Sequence, residues 1–502
     1  MPYLLLQTIA VPVLAAVFIL AARQRLGNKA CWIARGSLLY TTALLLFGAF
    51  QVKAGRPLIE AYPFAGPAIT IDLLGDGISL PTALIINMLC TGLSFYAGNY
   101  IDHRIEAIYG SVDKRTWNKH FTTFFSQYLL FPATFMGVCF ASNLIGLYFF
   151  LEILPLPLYF IMAFFGYVDR VKVAMICLMW AMFGAGFFLV GTLLVYFHTG
   201  SFHIADIHLL AGQPVAFWVI LLTLIAILSK MAVVPFQVWM PWVHAEHPTC
   251  IAGLLAVYAN IAAYVLLRML IIPLFDDFRP FSQPLMLIAL ITMIYGALLT
   301  LAQTDVKRFA ACSTISQLAY SLLGLSALTL SSIEGGMFFF LSHIMGKTIL
   351  FSTAGILVYV TGIRDMRQMG GIAQKMPLTA LLWIIGSLAL AGFPPMSSFA
   401  AEWVMFAGIF QTGLQAGPVG LAVAILGAAA ITLTVAYCFR SIKIIFFGPL
   451  GAALANHDPI KDPPLSMSLP LLLIAGVSIG LGIYPDLILN LFNLVIGNLA
   501  LP

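Results

Sequence analysis

Apolar runs of about 20 residues, each long enough to cross a bilayer, recur along the chain from Tyr3 to Phe492. Inside a membrane every backbone N–H and C=O must be satisfied within the protein, so a chain that crosses repeatedly is restricted to helices or a closed barrel. Runs of about 20 apolar residues have the length of membrane helices. The reading is therefore an all-α polytopic membrane protein. The balance of 62% apolar and 9% charged residues leaves no room for a soluble domain.

About fourteen spans fit the pattern, near 3–22, 32–52, 78–100, 120–140, 142–165, 171–197, 215–243, 249–272, 282–302, 308–330, 333–360, 376–411, 417–447 and 465–493. The twelfth and the last are long enough to be broken or to carry a short extra helix. The connections 53–77 and 101–119 are too short for a domain, and no cofactor-binding loop fits between spans. The first span lacks a basic leader and reads as a membrane helix, not a cleaved signal. The 7 cysteines are scattered without a CxxC pair and read as small apolar fillers, which speaks against an iron–sulfur or zinc site.

Charge placement sets the expected orientation. Most of the 24 Lys and Arg residues fall in odd-numbered loops, among them Arg23, Arg25, Lys29, Arg104, Lys114, Arg170, Lys307, Arg308, Arg364, Arg367, Lys375 and Arg440. The even loops hold Lys53, Arg56, Arg268 and Arg279, with Arg268 expected to snorkel to the outer interface. Positive charge stays on the cytoplasmic side, so odd loops are expected inside and both termini outside, in the cell membrane. The net charge of +5 belongs to these loops and does not imply nucleic acid.

Span seven, in LLTLIAILSKMAVVPFQVWMPWVHAEHPT, places Lys230 deep in an apolar helix and Pro235 shortly after it. A charge at mid-membrane costs roughly 2.5–3.5 kcal/mol on insertion scales, and proline removes a rung of the helical ladder. A second break is expected in span twelve at Pro394 and Pro395, in LALAGFPPMSSFAAEW. With spans four to eight as one unit and nine to thirteen as another, the broken helix is fourth in each. An odd number of spans per unit makes the two copies inverted, an architecture of ion-coupled transporters. The expected divisions are 1–119 for spans one to three, 120–275 and 276–447 for the two five-helix repeats, and 448–502 for span fourteen and the tail.

Four ionisable residues lie well inside spans: Glu152, Lys230, Lys347 (in FFFLSHIMGKTILF) and Glu402. Pairing Glu152 with Lys230, and Lys347 with Glu402, gives one acid and one base per repeat. Each would then titrate in response to its neighbour's charge, as a proton relay requires. Structural ion pairs that tie helices together are the alternative. Around these four, His343 shares a helical face with Lys347, and Asn260, Ser313, Ser316, Gln317 and Tyr320 could line a hydrated passage or simply join helices. His244, Glu246 and His247, expected near the outer surface at the end of span seven, read as a proton exit or a turn cap. HAEH lacks the spacing of a zinc helix.

KMAVVPFQVWMPWVHAEHPT resembles the K-x-P-x-x-P-x-H-x-W-L-P-x-A-H-x-x-A-P-T signature of antiporter-like subunits, found in respiratory complex I, energy-converting hydrogenases and Mrp cation/proton antiporters. DVKRFAACSTISQLAYSLLG, LSHIMGKTILFSTAGILVYVTGIRDMRQMGGIAQKMP and ALAGFPPMSSFAAEW extend the resemblance over residues 120–447. It implies fourteen helices with two inverted five-helix repeats. The family's essential glutamate falls on Glu152, its broken-helix lysine on Lys230, its central basic residue on Lys347 and its terminal ionisable residue on Glu402. Glutamate at that last position, with no long C-terminal lateral helix, is similar to the M-type subunit of complex I. Lys347 and TGIRDMRQMGGIAQKMP resemble the hydrogenase and Mrp patterns more. Asn260 stands where a lysine is frequent and Gln317 where a histidine is. The central link would then run through water, His343 or Lys347.

The resemblance implies a proton-translocating subunit of a redox enzyme that holds no cofactor itself. FMN, iron–sulfur clusters and quinone would sit in partner subunits, and its partners would be other membrane-arm subunits, a peripheral redox arm and lipid. The transported ion would be H⁺, with Na⁺ as the alternative. The rival readings are a hydrogenase subunit, an Mrp-type antiporter subunit and a purely structural scaffold.

Overall fold

The computed structural model describes residues 3–63, 70–455, 460–497 and 499. Its framework is helical. Among the described residues, eleven helices are long and apolar enough to cross a membrane. The expected spans seven, ten and twelve are helical as well but fall outside that set for physical reasons. Span seven ends early at Lys230, span twelve is split into Pro377–Leu390 and Ser397–Gln415, and the span-ten helix Val306–Ser326 is rich in polar residues. The extra helix expected at the last span is present as Asp486–Ile496, after Leu465–Ile483.

Contacts divide the chain into two compact units. The first comprises Met1–Lys230, Tyr264–Arg279 and Asn490–Leu499. Its core is aromatic, with Phe124, Phe125, Tyr128, Phe131 and Phe135 of the Lys114–Phe140 helix packed beside Tyr96 and Tyr100. The connection at 53–77, too short for a domain, holds an antiparallel hairpin, Leu58–Pro63 with Thr70–Gly75, in the register Leu58 to Gly75. The hairpin also caps the first helix. One carboxylate oxygen of Glu60 accepts the Leu5 amide and the other the Leu6 amide, each at 2.9 Å, satisfying exposed donors at that helix start.

The second unit is built from Met231–Ala263 and Pro280–Leu489. Here the helices Val306–Ser326 and Leu330–Thr361 are buried along almost their whole length. Protein, not lipid, surrounds their polar side chains, which is the condition under which such residues are tolerated at membrane depth. Asp305 caps the first of these helices through the Lys307 and Arg308 amides, and Thr329 with Ser332 forms a capping box on the second. Small residues allow close approach: a Cβ on Gly335 would stand 2.3 Å from the Met405 backbone nitrogen, so helix Leu330–Thr361 lies against helix Ser397–Gln415 backbone to backbone.

The two expected breaks have the same form. One helix stops at Lys230 and the other at Leu390. Each is followed by non-helical turns, with Ala232 at φ 51 and Gly392 at φ 62, before helix resumes. The bonds Val234–Pro235 and Pro394–Pro395 are both cis.

Candidate functional site

In the first unit, Glu152 lies at the end of helix Leu144–Ile153, just before Pro155, and Lys230 is the last residue of helix Pro214–Lys230. Both are half-buried, and their charges act on each other. A helix that ends on a lysine sets the cation against its own terminal carbonyls, where the helix dipole favours positive charge.

Arg268, expected to snorkel to the outer interface, is tied down: its side chain, 13% exposed, is in an ion pair with Asp76, itself 11% exposed. The Arg268 Nε also donates to the Tyr264 hydroxyl at 3.2 Å. The reason is the segment before span three. Asp76 caps that helix, accepting the Ile78 and Ser79 amides at 3.0 Å each, and its second oxygen is left for the guanidinium.

In the second unit, Lys347 sits midway along helix Leu330–Thr361 and is fully buried. Its ammonium donates to the Ala310 carbonyl at 3.0 Å and to the Ser313 hydroxyl, and lies over the Phe351 ring. One turn earlier, the His343 Nδ1 meets the Asn260 Oδ1 at 3.2 Å, while its Nε2 finds no protein partner. His244 and His247 pack against Phe351 with ring centroids 5.8 and 6.0 Å away. Both His244 ring nitrogens and the His247 Nε2 are also buried without a protein partner. Buried polar atoms of this kind are ordinarily satisfied by water. Three histidines and one lysine therefore surround a polar region inside the helix bundle.

The position of these histidines corrects an expectation. His244, Glu246 and His247 were expected near the outer surface. Glu246 instead pairs with Arg364 at 3.2 Å, Arg364 pairs with Asp305 at 2.7 Å, and the His247 carbonyl accepts the Lys307 ammonium at 2.7 Å. Arg364, Asp305 and Lys307 belong to the loops after spans nine and eleven, so the end of span seven lies on the side of the basic, odd-numbered loops. Lys307, counted in the sequence as a loop charge, is fully buried.

Glu402 is also buried, but its expected partnership with Lys347 does not form. Among the described residues no ion pair joins the two, because Lys347 turns to the Val306–Ser326 helix. The Glu402 carboxylate packs on Gly392 in the second break, and its charge reaches Tyr320. Of the remaining lining candidates, Ser316 donates to the Met293 carbonyl at 2.9 Å and serves to join helices. Gln317 and Tyr320 meet Thr434 and Tyr437 of helix Gly417–Phe446. The sequence reading missed that pair, although hydroxyls three residues apart on one face of an apolar span were its signal.

Two helices broken in the same way, and lysines set within an apolar helical bundle, define an antiporter-like membrane subunit. The profile of the NADH:quinone oxidoreductase/Mrp antiporter transmembrane family matches residues 141–432, and the chain belongs to that family. NADH-quinone oxidoreductase subunit M of Rickettsia prowazekii is 29% identical over 396 residues, which is 77% of this chain and 78% of that one. A Staphylococcus aureus protein named as antiporter subunit mnhD2 is 28% identical over 461 residues, 91% of this chain and 88% of the relative. In fold, a chain of the Mrp complex from Dietzia superimposes with a TM-score of 0.85 at 21% identity, over 99% of this chain and 97% of the other.

Proposed function

We propose that this chain is the proton-translocating, antiporter-like subunit of a complex-I-type NADH:quinone oxidoreductase in the cell membrane. It would assemble with other membrane-arm subunits and a peripheral arm that carries FMN, iron–sulfur clusters and quinone. The observation that carries the reading is Lys347: a lysine in the bundle interior whose partners are neutral oxygens, beside imidazole nitrogens that lack protein partners. A structural ion pair would supply a carboxylate, since a buried charge without one is expensive. A group that must gain and lose a proton is better served by neutral neighbours. Glu152 and Lys230 supply the acid and base of the first unit, and Glu402 the terminal carboxylate of the second.

In this reading the odd loops face the cytoplasm and both termini lie outside. Protons enter past Glu246, Arg364 and Lys307 toward His247, His244 and Lys347. Similarity to the rickettsial subunit supports the redox-driven form. The longer match to the staphylococcal antiporter subunit favours a second reading, a cation/proton antiporter subunit without an electron donor.

The test is proton movement by the assembled complex in sealed vesicles, with electron transfer recorded alongside, for Lys230→Ala and Lys347→Ala. Loss of proton movement and of coupled turnover, with assembly intact, is expected. Unchanged pumping in both variants would make the lysines structural. Proton movement driven by a Na⁺ gradient, with no electron donor present, would select the antiporter form.

A further inference from the structure

A helix that stops and restarts loses, at the gap, the ladder of hydrogen bonds that fixes each turn on the last. Something outside it must hold the two halves. In the second break the chain leaves helix Pro377–Leu390 and makes two local bonds, from the Phe393 amide to the Leu388 carbonyl at 3.1 Å and from the Met396 amide to the Phe393 carbonyl at 3.0 Å. It re-enters helix at Ser397. Support from the side comes from helix Leu465–Ile483. The Ser478 hydroxyl meets the Ser397 hydroxyl at 2.9 Å, and both serines are fully buried. One turn further along the same face, Gly482 lies against the break itself. A Cβ there would fall 2.7 Å from the Met396 carbonyl carbon and closer still to the Pro395 carbonyl oxygen. The backbone of the last long span therefore touches the backbone of the break, an approach that only glycine allows.

The break in turn carries Glu402. A Cβ on Gly392 would stand 2.7 Å from the Glu402 carboxyl carbon, so the carboxylate rests on that glycine. Among the described residues no hydrogen bond holds the carboxylate, and its position is set by what it packs against. Gly392 is three residues before Pro395, and Glu402 is five residues after Ser397. The path from Ser478 and Gly482, through residues 395–397, to Gly392 and Glu402 is chain or direct contact throughout, within one compact unit.

We propose that Ser478 and Gly482 are positioning residues for Glu402: helix Leu465–Ile483 is the backstop that fixes the second break and, with it, the place of the carboxylate. This rests on the reading of Glu402 as the terminal carboxylate of the second unit. Neither residue handles a proton. A displacement of their helix is passed through the break to Glu402.

Ser478→Ala and Ser397→Ala each remove one half of the hydroxyl pair, and Gly482→Ala sets a methyl against the break. The measurement is modification of Glu402 by dicyclohexylcarbodiimide, an apolar reagent for protonated carboxyls. It is followed in the assembled complex over a range of pH by mass spectrometry of the Glu402 peptide, with protons moved per coupled turnover recorded alongside. Each variant should assemble, label Glu402 at a rate changed several-fold with a displaced pH midpoint, and move fewer protons per turnover. The two serine changes together should be no worse than either alone. Residues that only pack helices would lower assembly and leave the labelling rate and its midpoint unchanged, and that result overturns the inference. Should Gly482→Ala fail to assemble, the serine variants decide. Labelling reads the surroundings of the carboxylate independently of proton movement, so unchanged labelling sinks this inference and leaves the reading of function standing. Changed labelling, in a complex whose Lys230→Ala and Lys347→Ala variants move protons normally, upholds the positioning and sinks that reading.

Discussion

Asp76 holds four donors with one carboxylate: the Ile78 and Ser79 amides, the Ser79 hydroxyl and the buried Arg268 guanidinium. Removing it strands a buried cation, a loss of about 3–5 kcal/mol in comparable sites. Asp76→Asn should therefore sharply lower the thermal stability of the purified protein at neutral pH. Burial alone would raise the Asp76 carboxyl, but Arg268 and the two amides outweigh it and hold it below its ordinary 3.8. A carboxyl lowered by folding stabilises at every pH above its unfolded value and loses that contribution as pH falls through the folded one. The gap between Asp76→Asn and the unsubstituted protein should be constant from neutral pH down to about pH 4 and close only in stronger acid. A gap that is the same in strong acid would refute the pairing. Glu152, Lys230, Lys347 and Glu402 were legible as ionisable groups within the helix bundle because a charge inside an apolar run is costly and stands out. Asp76 and Lys307 were not, because a charge at the end of a span looks solvated until the fold closes over it.

The two broken helices were legible as elements because prolines mark them, but what fills each break is a matter of packing. In the second, Gly392 has φ 62, and a Cβ there would lie 2.2 Å from the Glu402 Oε2. Ala232 holds the same kind of conformation in the first break at φ 51, so the backbone alone tolerates a methyl at a cost of about 1–2 kcal/mol. What forbids it at Gly392 is the carboxylate. Gly392→Ala should displace Glu402 and lower proton movement per turnover as far as Glu402→Ala does, and the double variant should be no worse than either. Additive losses would show that the glycine acts apart from the glutamate. The hairpin was illegible for the opposite reason: LIEAYP and TIDLLG are short, and their pairing depends on a partner strand across residues that carry no turn signal of the strong two-residue kind.

At the scale of the whole molecule, the sequence's charge asymmetry and the structure's ion pairs meet in one testable polarity. Positive charge is kept on the cytoplasmic side during insertion, and the basic loops that carry Arg364 and Lys307 also hold the buried cluster of Glu246, His244 and His247. Orientation therefore decides whether that cluster takes protons up or releases them. The seven native cysteines are all buried, so an introduced thiol can be read against a low background. Gln213, exposed after the sixth span, and Gln368, exposed after the eleventh, are suitable positions. A membrane-impermeant maleimide applied to intact cells should label Gln213→Cys at once and Gln368→Cys only after the membrane is opened. The reverse pattern would put both termini in the cytoplasm. The histidine cluster would then be an exit, and protons would enter from the opposite face of the membrane.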